Sequence, residues 1–210
     1  MHATLPATWR LPRLTWRDNH LWTAIRAAAF VGVLAVWLSL QLIGFEGDAH
    51  AYWSASLSHP YARAIVGAPD AYLYSPAFLQ TIAPLTSVGW PIFYGIWTAL
   101  ILGAGLWLIG PIGMLGLLVM WTPVWSDAAS GNIHILLALA VVLGMRYPAA
   151  WAFPLLTKVT PGIGIAWYVF RGEWRSAAWA VGATLGIVAI SAIIMPVAWL
   201  DWLALLYGSA

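Results

Sequence analysis

The longest stretches of this 210-residue chain without an Asp, Glu, Lys or Arg are residues 27–45, 71–126, 128–145 and 176–200. A helix crossing the hydrocarbon core of a bilayer needs about 20 predominantly apolar residues. Runs of that length, in a chain that is 62% hydrophobic and 8% charged, constrain the fold class more than any motif does. They predict an all-α, polytopic integral membrane protein, a helical bundle of about six to seven membrane helices in a single membrane domain. A transmembrane barrel would alternate polar and apolar residues in segments of about 10, and the runs show no such alternation. Many of the sixteen Trp and eight Tyr fall near the ends of the runs, among them Trp22, Trp53, Trp90, Trp125, Trp174, Trp199 and Trp202, where interfacial anchors belong.

Charge placement predicts topology. Residues 1–26 hold Arg10, Arg13, Arg17 and Arg26 against the single acid Asp18, so the positive-inside rule keeps the N-terminus cytoplasmic. Residues 27–45 form the first span; this run is longer than a signal-peptide core of about 7–15 residues and lacks a small-residue cleavage site, so it reads as an uncleaved anchor. Residues 46–76 emerge as an outer loop with short interfacial helices, residues 77–200 supply the remaining membrane helices, and residues 201–210 form an outer aromatic tail. Two arrangements of the middle differ in where the basic residues fall. If residues 76–88 stay in the outer leaflet and the segment around Lys158 is a re-entrant pair of half-helices, Arg146, Arg171 and Arg175 join the N-terminal arginines inside. That arrangement is preferred, and it turns Asp127, Asn132 and Lys158 towards the side of Asp48. Irregular backbone at membrane depth is tolerated where it lines a cavity or is buried in protein.

The basic residues are scattered, which excludes a nucleic-acid partner despite a net charge of +2. With no Cys, neither a disulfide nor a thiolate metal site is available. No Walker loop, G-x-S-x-G or H-E-x-x-H motif is present.

The chemistry is expected where the scarce charges sit, because each is costly near hydrocarbon. The stretch GFEGDAHAYWSASLSHPYARAIVGAPDAYLYSP, residues 44–76, holds Glu46, Asp48, His50, His59, Arg63 and Asp70. Asp48 has the placement of a general base that takes a proton from an attacking hydroxyl; a solvated loop acid is the plainer alternative. The His and acid residues there lack metal-ligand spacing, so no metal and no cofactor are expected. Lys158 lies mid-way along an uncharged segment between Pro154 and Pro161-Gly162, a setting in which broken helices present positive ends to anions such as a lipid phosphate. Gly131-Asn132 opens a helix beside Asp127, which serves either ligand binding or ordinary capping. Tyr72 and Tyr74 of YLYSP suit either a sugar platform or an interfacial aromatic cluster.

In this order the pieces GDAHAYW, YLYSPAFLQTIAPL, GNIHILLAL and LLTKVTPGIGIAWYVFRGEWR resemble the polyprenol-phosphate-sugar-dependent glycosyltransferases of the GT-C superfold. They are most similar to family 87, the bacterial α-mannosyltransferase group. The resemblance implies a metal-independent, inverting sugar transfer from a polyprenyl-phosphate donor to a lipid or glycan acceptor on the outer face of the bacterial plasma membrane, with membrane lipids as surroundings. Asp48 matches the catalytic base, Lys158 would lie near the carrier phosphate, and Asn132 near a sugar. Arg63, Tyr52, Tyr72, Tyr74 and Asp127 are further expected substrate-lining residues. Family members are roughly twice this length, so the chain corresponds to their N-terminal module, and Gly-Asn stands where the family often has Gly-Gln. The competing expectation is a non-catalytic membrane scaffold or lipid-binding subunit with a reduced GT-C fold. A transporter would want polar-lined spans or an inverted repeat, and neither is visible.

Overall fold

The computed structural model describes residues 23, 24, 26–28, 30–32, 47–65, 67, 68, 70–119, 130–158 and 163–208. The described residues are helices and connecting turns, without a strand. Of the expected first span, residues 27, 28 and 30–32 are described and helical, and Phe30 packs on the main core. The N-terminal arginines 10, 13 and 17, with Glu46, Asp127, Pro161 and Gly162, lie outside the described residues.

The first well-formed element is the short helix α1, Asp48–Ser54, inside the expected outer loop. Helix α2, Pro76–Thr86, begins with Pro76 at a position whose amide would be unsatisfied anyway, and the Ser75 hydroxyl caps it by accepting from the Phe78 amide at 3.3 Å. Its 11 residues rise about 16 Å, half of a bilayer core of about 30 Å. Helix α3, Trp90–Val119, contains a break at Gly110, whose φ of 70° and ψ of 175° only glycine adopts without strain. The following Pro111 has no amide to continue the ladder, so Gly-Pro divides α3 as its sequence predicts.

Helix α4, His134–Gly144, has 11 residues. A 3₁₀ turn at Pro148–Trp151 leads into α5, Ala152–Thr157, and after a break come α6, Ile163–Phe170, α7, Trp174–Ile194, and α8, Pro196–Gly208. The segment around Lys158 is therefore two short helices and not one span. Two described helices are long and apolar enough to cross a membrane, Trp90–Gly110 and Trp174–Ile194, each of 21 residues. That is the count the described residues support beside the expected six or seven.

Two glycines set against one tryptophan fold the α5–α6 pair back on α4. Trp151 lies against Gly144 and Gly164, where an added Cβ on either glycine would overlap its ring. Its indole N–H donates to the Tyr168 hydroxyl at 3.2 Å, and that hydroxyl donates to the Gly144 carbonyl. Gly144, Trp151 and Tyr168 thus share one level of the bundle, near Arg146 and the Arg171–Glu173 ion pair at 2.7 Å. At the opposite end, the Trp53 indole donates to the Val88 carbonyl at 2.9 Å, Gln80 donates to the Ser191 carbonyl at 3.3 Å, and the Trp202 indole donates to the Leu73 carbonyl at 3.2 Å. These bonds draw α8 against the segment between α1 and α2, and the C-terminal end of α7 against α2 itself.

The main core lies at this second end. Tyr52, Tyr72, Phe78, Leu79, Phe93, Trp97, Ile101 and Ile133 are buried in one cluster, with Phe93 stacked on Trp97 at 5.8 Å between ring centroids. By contrast α7 turns large apolar side chains outwards, Ile193 being 82% exposed and Trp179 66%. In water such a surface would be costly.

Candidate active site

Asp48 is placed by backbone packing between two segments distant in sequence. Gly47 lies so close to Ser130 that a Cβ would overlap its backbone, and Gly131, at φ +71°, leaves no room for a Cβ beside Ala49. The Ala49 amide donates to the Ser130 carbonyl at 3.0 Å, and the Trp97 indole donates to the Gly131 carbonyl at 2.7 Å. Gly-Asp-Ala and Ser-Gly-Asn are thereby clamped face to face. The outcome is a hydrogen bond from the Asn132 side-chain amide to Asp48 Oδ2. An ionised carboxylate only accepts, so the Asn132 NH₂ must face it. Asn132 Oδ1 then points away, buried and without a hydrogen-bond partner among the described residues.

Two residues after Asn132, His134 begins α4, and its Nε2 lies 2.5 Å from Lys158 Nζ. Lys158 ends α5 in an extended conformation, φ −139° and ψ 119°, its amide donating to the Pro154 carbonyl. The half-buried Asp48 and the half-buried Lys158 therefore both reach the N-terminal end of α4, one through Asn132 and the other through His134. Ile133, fully buried between them, anchors that end. The pairing of a carboxylate with an amide, and of an imidazole with an ammonium, sets a proton acceptor and a cationic group at one helix mouth. His134 was not singled out from sequence. It is uncharged by count and embedded in an apolar helix, although its place two residues from Asn132 in GNIHILLAL was visible.

The other expected site residues fall elsewhere. Tyr52 and Tyr72 are buried, 0% and 2% exposed, and their hydroxyls donate to Tyr74 Oη at 3.0 Å and to the Ser75 carbonyl at 2.9 Å. They build the wall beneath Asp48. Burial first, then the neighbouring Tyr74 and Asp48, raises the Tyr52 hydroxyl well above its usual range; burial likewise raises Tyr72. Tyr74 is half-buried, 5.1 Å edge-on from Tyr52. Arg63 is exposed on a turn and lines a different cavity, with Asp70 and His59. His50 pairs with Asp70, Nδ1 to Oδ1 at 2.7 Å, in place of any grouping with Asp48. Asp127 lies outside the described residues. No three His, Asp or Glu side chains converge on a metal site among the described residues.

The described residues thus include two helices of membrane-crossing length and a carboxylate, an amide, an imidazole and an ammonium meeting at one helix mouth. The chain belongs to glycosyltransferase family 87, whose sequence model matches residues 72–210. It is accordingly a glycosyltransferase, a transferase needing a sugar donor and an acceptor. No curated protein and no solved structure matches the chain. Tyr72, Tyr74, Asn132, His134 and Lys158 lie within the matched region, whereas Asp48, Tyr52 and Arg63 precede it.

Proposed function

We propose that this protein is a multi-pass GT-C-type enzyme of the bacterial plasma membrane, N-terminus cytoplasmic, that moves a hexose, mannose by the family resemblance, from a polyprenyl-phosphate carrier to a lipid or glycan acceptor on the outer face. The observation that carries this reading is the convergence of Asp48 and Lys158 on the mouth of α4, through Asn132 and His134.

Asp48 takes the proton of the acceptor hydroxyl while that oxygen bonds to the sugar C1 from the side opposite the carrier. The C1–O bond to phosphate breaks, its electron pair leaves with the polyprenyl phosphate, and C1 is inverted. Asn132 holds one oxygen of Asp48, so the carboxylate is oriented before substrate arrives. Lys158, held by His134, meets the charge that develops on the leaving phosphate, where a fixed positive group in a water-poor site is worth most. On this reading α7 and the span Trp90–Gly110 cross the membrane, and the site lies at the level of a lipid-linked donor.

The test is Asp48→Asn, measured as transfer from polyprenyl-phosphate-mannose by the chain reconstituted in lipid. The amide keeps the shape and cannot take the proton, so transfer falls by about 100-fold or more while the fold is retained. Transfer at the wild-type rate by this variant would remove Asp48 from the mechanism and leave the family assignment standing alone.

A further inference from the structure

The end of the bundle away from Asp48 takes no part in the chemistry above. Helix α4 carries the chain there, its 11 residues rising about 16 Å from His134. Three elements converge on that end. Tyr168, near the close of α6, donates its hydroxyl to the carbonyl of Gly144, the last residue of α4, and Ala177 and Ala180 of α7 pack on Trp151 and Tyr168 in one buried cluster. The packing brings together Arg146 just after α4, Arg171 just after α6 and Arg175 in the first turn of α7, all of them exposed.

Among the described residues Glu173 is the one acid in these segments, and Arg171 holds it at 2.7 Å. Arg146 and Arg175 have no carboxylate partner among the described residues. Arg146 lies over its neighbour Tyr147, 5.3 Å from the ring centroid, and Arg171 over Trp167 at 5.5 Å. A guanidinium resting on a ring still presents N–H donors at its edge to an oxyanion. Beside these charges stand rings turned out of the fold: Phe170 is 88% exposed and Trp174 65%.

That combination selects an occupant. Guanidinium groups without carboxylates attract anions, but a dissolved anion, whether free phosphate or an acidic peptide, leaves Phe170 and Trp174 in water, where such a surface is costly. An anionic phospholipid answers both needs. Its phosphate meets the arginines, and the rings lie at the boundary between headgroups and acyl chains, where aromatic side chains collect.

We propose that this end of the bundle docks anionic phospholipids of the adjoining leaflet, their headgroup phosphates held by Arg146 and Arg175 with Arg171 in support. The surface rests on the membrane reading above, in whose topology that leaflet is cytoplasmic. It adds a preference for negatively charged headgroups, exercised at a place separate from the donor, the acceptor and Asp48.

The experiment takes the full chain in neutral detergent, adds equal amounts of phosphatidylglycerol and phosphatidylcholine, and counts the lipids retained by native mass spectrometry. The wild type prefers phosphatidylglycerol by about 10-fold or more, at about fivefold per arginine. A chain carrying both Arg146→Gln and Arg175→Gln loses the preference, whereas one carrying Arg146→Lys and Arg175→Lys keeps it. All three share a thermal midpoint in phosphatidylcholine, since both positions are exposed. Equal retention of the two lipids by the wild type overturns the surface, as does a Gln pair that keeps the preference or a Lys pair that loses it. Displacement of phosphatidylglycerol by inorganic phosphate or by an oligoglutamate peptide assigns the arginines to a soluble anion and overturns the lipid assignment. Extraction of the chain from membranes by alkaline carbonate would reject the membrane reading itself, and the surface with it. A chain that stays with the membrane and shows no headgroup preference rejects this surface alone.

Discussion

At the level of single residues, the proposed catalytic geometry turns on the bond from Asn132 to Asp48. A hydrogen bond to a charged group is worth about 1.5–3 kcal/mol, so Asn132→Ala should lower kcat roughly 10- to 100-fold, with the acceptor KM little changed, in steady-state transfer assays. Asn132→Asp should be worse, because it sets a second carboxylate against the first and pushes the pair towards sharing a proton. Lys158→Gln should raise the KM for the lipid-linked donor, and His134→Gln should do so less, since in the proposed reading His134 acts through its contact with Lys158. Asp48, Asn132 and Lys158 stood out in the sequence because charged and amide side chains are scarce in this chain, Asp48 and Asn132 each follow a glycine, and Lys158 lies between Pro154 and Pro161. His134 was not, because its significance arises from a partner 24 positions away.

At the level of elements, the α4 to α6 layer depends on two glycines against one indole. Gly164→Ala or Gly144→Ala drives a methyl into Trp151 and should destabilise by about 1–3 kcal/mol, read as a lower thermal midpoint in detergent. The tyrosine wall predicts a pH dependence. Tyr52, Tyr61 and Tyr72 are each raised above the ordinary value of 10.0, in every case chiefly by burial. A folded state that keeps these hydroxyls protonated holds more protons above pH 10 than the unfolded chain, so stability falls as pH rises there. Their contribution is complete below pH 10, is lost progressively above it, and should shrink in Tyr61→Phe; thermal melts from pH 8 to 11.5 check both. The breaks at Gly110-Pro111 and around Lys158 were readable from backbone chemistry. The Gly144–Trp151–Gly164 contact was not, since nothing local marks which glycine receives a ring.

At the level of the whole molecule, the two ends of the bundle differ in charge. Arg146, Arg171 and Arg175 flank the Tyr168–Gly144 bond, while Asp48, Asp70 and Asp201 gather at the end where Trp202 meets Leu73. In the proposed arrangement, in which the segment about Lys158 enters and leaves from one side, the arginine end would be cytoplasmic and the aspartate end outside. The chain has no cysteine, so single thiols report sidedness cleanly. Ser58→Cys should react with an impermeant maleimide from outside intact cells, and Arg146→Cys only after permeabilisation. Reaction of both from the same side would reject the topology.

The order of apolar runs, the glycine and proline breaks and the scarcity of charge settled the helical class and singled out the candidate residues, because hydrocarbon penalises every exposed peptide and charge locally, one segment at a time. Which distant segments touch is not a local property. Only tertiary packing decided that Gly47 faces Ser130, that Asp48 meets Asn132 and Lys158 meets His134, and that Arg63 belongs with Asp70 in another cavity, because those choices turn on how large rings and absent Cβ atoms fit together across the bundle.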